Sequence, residues 1–369
     1  MKNNHWLRLL AAVMGLALVA AACGGDDEDA GAGGACEVDQ VDGDLALYNW
    51  AEYIDEEQVA AFADEYGIGY SIDSYGSNEA MQPIVSQGNS GFDIIVPSDY
   101  MVSVMIAAES LMPLNYDVIP NAENLSSDFS GLYYDPDGAY SLPYQWGTTG
   151  VAVNTAVVGT DFPRSWGIIF DPAISGEFDG QIQLLDDPRE TLGAALQYLG
   201  YSMNTTSDDE LNEARDLVAD TASRLAAFNT DSADEFLTAG ETVIAHGYSG
   251  DMFVQFLETD DPSQYVYFVP EEGGTRWIDN FAVPFDAPHP CTAHTFINWM
   301  YSAEQGAALT NWNYYNTPNA AAVDGLDEGL LDFVNDPALL AGGVESLESL
   351  EDTGDFEVKY SDAFVEAKS

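Results

Sequence analysis

Two short segments far apart in the chain each set an indole ring beside a carboxylate: Tyr48-Asn49-Trp50-Ala51-Glu52-Tyr53 and Trp277-Ile278-Asp279. A ring covers methylene groups and attracts an ammonium through its quadrupole, while a carboxylate adds a charge-assisted hydrogen bond. The combination suits a ligand that is apolar along its length and cationic at its nitrogens. Further residues of both kinds follow the same logic: the carboxylates Asp187, Glu190 and Asp251, and the rings Tyr100, Tyr248 and Tyr315. An aliphatic amine has a pKa near about 10 and is charged at neutral pH. Each ammonium needs a carboxylate when it leaves water, and the methylenes between ammoniums need apolar walls. With 63 acidic residues in the chain, a lone carboxylate is ordinarily a solvated surface group, so the argument rests on the pairing of acid with ring.

The elements that must position these residues are those of an α/β protein. Apolar or alternating runs at 45–48, 68–72, 93–96, 182–185, 242–245 and 265–269 read as strands. Helical spacing marks 56–66, 79–85, 101–108, 191–199, 209–228 and 293–308. Strands separated by helices of this length imply βαβ units and a mainly parallel sheet. A chain of 369 residues is too long for one typical core, so two domains are expected. Open α/β sheets bind ligands beyond the carboxyl ends of their strands. Trp50, Ser98, Asp187 and Tyr248 each follow an expected strand, and the two Trp-carboxylate segments are expected at strand ends beside turns. The chain is expected to cross between domains near 147–151, 275–278 and 320–323.

The first 22 residues read as an export signal. Lys2, His5 and Arg8 form a basic start, and the apolar run 9–22 is short for a membrane span. The small residues before Cys23 resemble the signal of a bacterial or archaeal lipoprotein, with Cys23 carrying the lipid; an ordinary secretory signal with a spare cysteine is the alternative. Residues 23–36, acidic and rich in Gly and Ala, read as a flexible tether. Cys36 and Cys291 are left in an oxidising compartment and are expected to form one bridge.

In order along the chain, YNWAEY (48–53), YGSNEAM (75–81), FDIIVPSDYMV (92–102), YSLPYQWGTTGVAVN (140–154), LLDDPRETLGAAL (184–196), GYSGDMF (247–253), PEEGGTRWIDNFAVP (270–284) and NTPN (316–319) resemble the polyamine-binding proteins of ABC importers. These are periplasmic or lipid-anchored receptors for spermidine and putrescine. The resemblance implies a periplasmic-binding-protein-like type II fold: two domains, each a mainly parallel sheet flanked by helices, joined by a multi-strand hinge with the ligand between them. The expected division is 37–149 with 277–322 for domain 1 and 150–276 with 323–369 for domain 2. By resemblance, Trp50 and Glu52 are an aromatic and a terminal-amine carboxylate of domain 1, and Tyr53 is a second wall. Ser98 and Tyr100 match a Ser-x-Tyr, Asp187 and Glu190 an amine-gripping pair, Trp277 and Asp279 a stacking and amine-binding pair, and Tyr315 a further wall. Tyr248 stands where the family usually has Trp. Asp251, three residues on, fits putrescine-type members, whereas Asp187 with Glu190 fits spermidine-type ones. No glutamine near the C-terminus aligns with the family's Gln contact. The resemblance further implies a monomer that catalyses nothing, needs no cofactor, and meets permease subunits at a membrane to which its lipid anchors it.

Other readings are weaker. His289, Cys291 and His294 have the types of a zinc site, but the expected bridge claims Cys291. Asp186 and Asp187 are paired carboxylates of the kind a secreted glycosidase uses, and another cationic solute would use the same residue types as a polyamine. There is no Gly-x-Ser-x-Gly elbow and no phosphate loop. The 63 acidic against 9 basic residues give a formal net charge of −54, which excludes nucleic acid and anionic lipid as partners. An acidic surface of this kind is expected of a protein adapted to high salt, where counterions screen its self-repulsion. The melting temperature should therefore rise between low and molar salt; a flat response contradicts the halophilic reading.

Overall fold

The run LALYNW alternates its side chains between two faces, and both are covered: Leu45 and Leu47 enter one hydrophobic cluster, Tyr48 another. This is the burial of a strand with helices on both sides. In the computed structural model, which describes residues 36–327, 330, 339–343 and 346–369, that run is β1 (Leu45–Trp50). It is followed by β2 (Tyr70–Tyr75), β3 (Ile94–Ile95), β4 (Ser141–Asn154), β5 (Ile182–Leu184), β6 (Leu225–Phe228), β7 (Ile244–Tyr248), β8 (Tyr265–Phe268), β9 (Gly274–Ala282) and β10 (Leu347–Glu348). The strands run β2-β1-β3-β9-β4-β7-β5-β6, with β8 paired to β4 and β10 to β9.

The sheet has two parallel parts, as the alternation of strands and helices requires. β1 pairs in parallel with β2 and β3, and β5 with β6 and β7. What strand spacing did not foretell is the pair that joins them. β4 runs antiparallel to β9 from Ser141 to Thr148, then antiparallel to β7 and β8 from Thr149 to Asn154. The stretches 147–151 and 275–278 lie within these two long strands, while 320–323 lies in a turn. The four clusters follow the period-two rule across this sheet. Ile94 faces one cluster and Ile95 another; Val151 and Val153 face a third and Ala152 a fourth.

Helix boundaries carry their own chemistry. Asp55 caps Glu56–Tyr66 by accepting from the Glu57 N–H, and Gly67 ends it at φ 69°, where a side chain would be strained. Two sequence expectations fail. The helical pattern 209–228 stops at Ala222, because Arg224 is drawn off by Asp179 and Ser175 and the apolar tail 225–228 pairs with β5. The pattern 293–308 is two helices, Pro290–Met300 and Ala303–Asn313, since Ser302 caps the second through the Gln305 N–H. A short apolar run serves strand or helix equally, and here pairing decides.

Cys36 and Cys291 are joined by a disulfide. The rings beside it are engaged: His294 accepts from the Asn115 N–H at Nε2, so its Nδ1 donates to the Pro290 carbonyl, and His289 Nδ1 lies against Asp93. Residues 1–22, the tether through residue 35 and Cys23 lie outside the described residues, among which no helix is long and apolar enough to cross a membrane.

Candidate functional site

A cavity lies where the carboxyl ends of β1, β3, β5 and β7 face the crossing strand β9. Trp50, Tyr53, Ser98, Tyr100, Asp187, Glu190, Tyr248, Asp251, Trp277, Asp279 and Tyr315 all line it. Glu52 does not. It is exposed in the turn after β1, at φ 51°, and opens onto a neighbouring groove with Asp234, Glu235 and Glu258. Trp277 and Asp279 are also not at a strand end. They lie inside β9, which crosses the ends of the parallel strands so that its middle reaches the site.

Local folding explains each carboxylate. Asp187 is the N-cap of the helix Pro188–Leu199: its Oδ1 accepts from the N–H groups of Arg189 and Glu190, both at 2.9 Å, with Pro188 at the first helical position. Glu190, one turn in, accepts from the Thr149 hydroxyl (3.0 Å) and the Thr275 hydroxyl (2.6 Å), one from each crossing strand. Asp279 meets Ser98 through a backbone bridge and accepts its hydroxyl at 2.6 Å. Ser98 is itself held by Asn78, whose amide donates to its Oγ at 3.0 Å and accepts its N–H at 3.2 Å.

The rings around Trp277 meet it edge to face, with Tyr53 at 6.1 Å, Tyr248 at 6.0 Å and Tyr315 at 5.2 Å, while Trp50 lies tilted against Tyr75 at 4.8 Å. Trp50 is fixed by donating from Nε1 to the Val96 carbonyl, which also accepts the Tyr75 hydroxyl. Two glycines make room. A Cβ on Gly147 would come within 2.6 Å of the Trp277 ring, and one on Gly250 within 2.6 Å of the Tyr315 ring.

No basic side chain lines this cavity among the described residues. Burial pushes the Asp279 carboxyl up to about 7 despite the Ser98 hydrogen bond, and Glu190 to about 7 despite the two threonines. Asp187 is raised by burial and then by Glu190, and Asp251 by desolvation and then by Asp234. Glu52 is raised by desolvation and by Glu235, Glu258 and Asp231. Such a site is short of positive charge, and cations relieve it.

Sequence reasoning missed Tyr75, Asn78, Thr230, Asp231 and Leu350, which also line the cavity. Tyr75 ends β2 and Asn78 follows it, so both were findable by the same strand-end rule. Leu350, 4 % exposed, is an apolar wall from the C-terminal segment, a region where no glutamine aligned.

An α/β protein with a carboxylate-lined cavity at the switch between parallel strands has the architecture of a binding protein. The model of the bacterial extracellular solute-binding protein family matches residues 57–341, and the chain belongs to that family. It is 33 % identical over 285 residues to a putrescine/cadaverine-binding protein of Pseudomonas aeruginosa, covering 76 % of this chain and 80 % of that protein. It is 31 % identical over 320 residues to the spermidine/putrescine-binding periplasmic protein of Escherichia coli, covering 86 % of each. An ABC transporter protein of Listeria monocytogenes has a similar solved structure, with TM-score 0.81 and 33 % identity over 89 % of this chain and 99 % of that one. Membership makes the chain a solute-binding transport component rather than an enzyme.

The raised carboxyls predict a pH dependence of stability. Asp279 and Glu190 hold a proton more tightly folded than unfolded, so the ligand-free protein should lose stability as pH rises from about 4 to about 7. Surface self-repulsion acts in the same direction, so the double variant D279N/E190Q is the control. Its melting temperature should fall less steeply over that window, and equal slopes contradict the assignment.

Proposed function

We propose that this chain is the solute receptor of an ABC importer and captures a polyamine of the putrescine and spermidine class. The observation that carries the reading is a set of buried carboxylates, Asp187, Glu190 and Asp279, facing one cavity between aromatic walls with no basic side chain lining it. Relatives named for putrescine, cadaverine and spermidine support it.

Asp279, Asp187 and Glu190 receive the ammonium at one end. Asp251 receives the ammonium at the other, and Glu52 acts from the adjoining groove as a long-range attraction. Ser98 orients Asp279, while Trp50, Tyr53, Tyr100, Tyr248, Trp277 and Tyr315 cover the methylenes. Leu350 offers no polar partner, so its side of the cavity takes an alkyl segment. The cavity lies between domain 1 (37–149 with 277–322) and domain 2 (150–276 with 323–369). Bending of β4 and β9 closes the domains, because carboxylates of one and rings of the other must approach the same guest. The closed form is what permease subunits read. An anchor at Cys23, with the tether, holds the monomer to the outer face of a membrane in a salt-rich habitat.

Calorimetry of the purified protein in molar salt, with putrescine, cadaverine, spermidine and spermine, tests this. Tight one-to-one binding of at least one is expected. Asp279→Asn should cost about 2–4 kcal/mol of that binding, because it leaves an ammonium underpaired. No heat from any of the four in a folded protein, or unchanged affinity in the variant, contradicts the assignment.

A further inference from the structure

Arg189 sits between the two carboxylates of the amine site in sequence, yet it does not line the cavity and is 0 % exposed. Its guanidinium is sandwiched, 5.1 Å from the Tyr100 ring centre and 4.5 Å from that of Tyr360. Nη1 donates to both Glu357 carboxylate oxygens at 2.9 and 2.7 Å, and both terminal nitrogens reach the Glu351 carbonyl at 3.2 Å. Nη2 also donates to Asn204 Oδ1 at 3.0 Å.

These partners come from different parts of the fold. Tyr100 belongs to the helix Asp99–Ala107 after β3, and its hydroxyl donates to Glu79 at 2.7 Å on the helix Asn78–Ser86. Tyr360 and Glu357 belong to the C-terminal helix Glu357–Ala367, and Glu351 follows the wall residue Leu350. The Tyr133 hydroxyl holds that same segment by donating to the Leu350 carbonyl at 2.6 Å. One planar cation thus touches the first parallel part through Tyr100, the second through its own helix, and the C-terminal wall.

We propose that Arg189 is the positioning residue of the amine site. It locks Tyr100 and the Leu350 segment around Asp187 and Glu190 without touching the guest. Lysine cannot replace it, because an ammonium has neither two flat faces for the rings nor a fork that spans Glu357, Glu351 and Asn204. A second effect follows from its charge. Arg189 is the cation that eases the ionisation of Asp187, Glu190 and Glu79. The charged and titratable groups around it are Glu357, Tyr360 and Tyr100, with Glu79 beyond Tyr100 and Asp187 and Glu190 on its own helix.

The inference rests on the polyamine reading, and two variants separate them. R189K keeps the charge and loses the stack, so affinity for the amine bound by the parent should fall about tenfold with an unmoved pH profile. R189M/E357Q removes the pair without orphaning either partner. Its affinity should fall at least as far, and the pH at which binding is half lost should rise by about one unit. A merely structural residue would not split the variants in this way. If the double variant does not fold, R189K decides. If the parent binds none of the four amines, the receptor reading fails. The inference is then judged on ligand-free protein, where the Glu190 carboxyl carbon resonance, assigned with E190Q, should titrate about one unit higher in R189M/E357Q. Folded variants that bind within about threefold of the parent, with one common pH profile, overturn the proposal.

Discussion

Taking a carboxylate from water without a counter-charge costs free energy, and this protein takes Asp187, Glu190 and Asp279 into one cavity whose described lining has no basic side chain. The hydroxyls of Ser98, Thr149 and Thr275 and the helix N–H groups offset part of that cost. They do not remove it, and Asp279 and Glu190 remain raised to about 7. The architecture around the cavity follows from this constraint. In the ligand-free protein protonation of the raised carboxyls carries the remaining cost, and the proposed guest would replace those protons with its own positive charges.

The crossing strands satisfy the geometric half of the requirement. β4 and β9 pass from one parallel part of the sheet to the other, and each contributes a hydroxyl to the same glutamate. β9 also presents Trp277 and Asp279 at adjacent positions on one face. Packing the rings edge to face around Trp277 requires that Gly147 and Gly250 have no side chain. The proposed guest, apolar along its length and charged at its ends, would thus meet residues whose spacing one strand and its neighbours set.

Much of this was legible in the sequence because it is local. The strand-end rule and the acid-ring pairing, together with the family resemblance, found most of the residues that line the cavity, and Tyr75, Asn78, Thr230, Asp231 and Leu350 escaped them. Glu52 opens onto the adjoining groove rather than the cavity because it follows β1 in a turn at positive φ, and no one-dimensional pattern reports that. The mid-strand location of Trp277 and Asp279 was hidden for another reason. In sequence this segment is expected at a strand end beside a turn, and β9 extends through it by pairing with β4 across more than a hundred residues. Leu350 was invisible because an apolar side chain in a C-terminal segment carries no chemical signal of a site. Arg189 stood in plain view inside a quoted motif, but its partners Tyr100, Tyr360 and Glu357 are brought together only by the fold.

The central claim is that the ammonium groups of a guest take the place of protons on the buried carboxyls. Calorimetric titration of the bound amine near pH 6.5, repeated in buffers of different ionisation enthalpy, measures this directly. The amine is already charged, so binding should release about one proton or more per ligand from carboxyls that were partly protonated. Tight binding with no proton release would contradict the account, because it would mean that the cavity carboxylates were ionised and compensated before the ligand arrived.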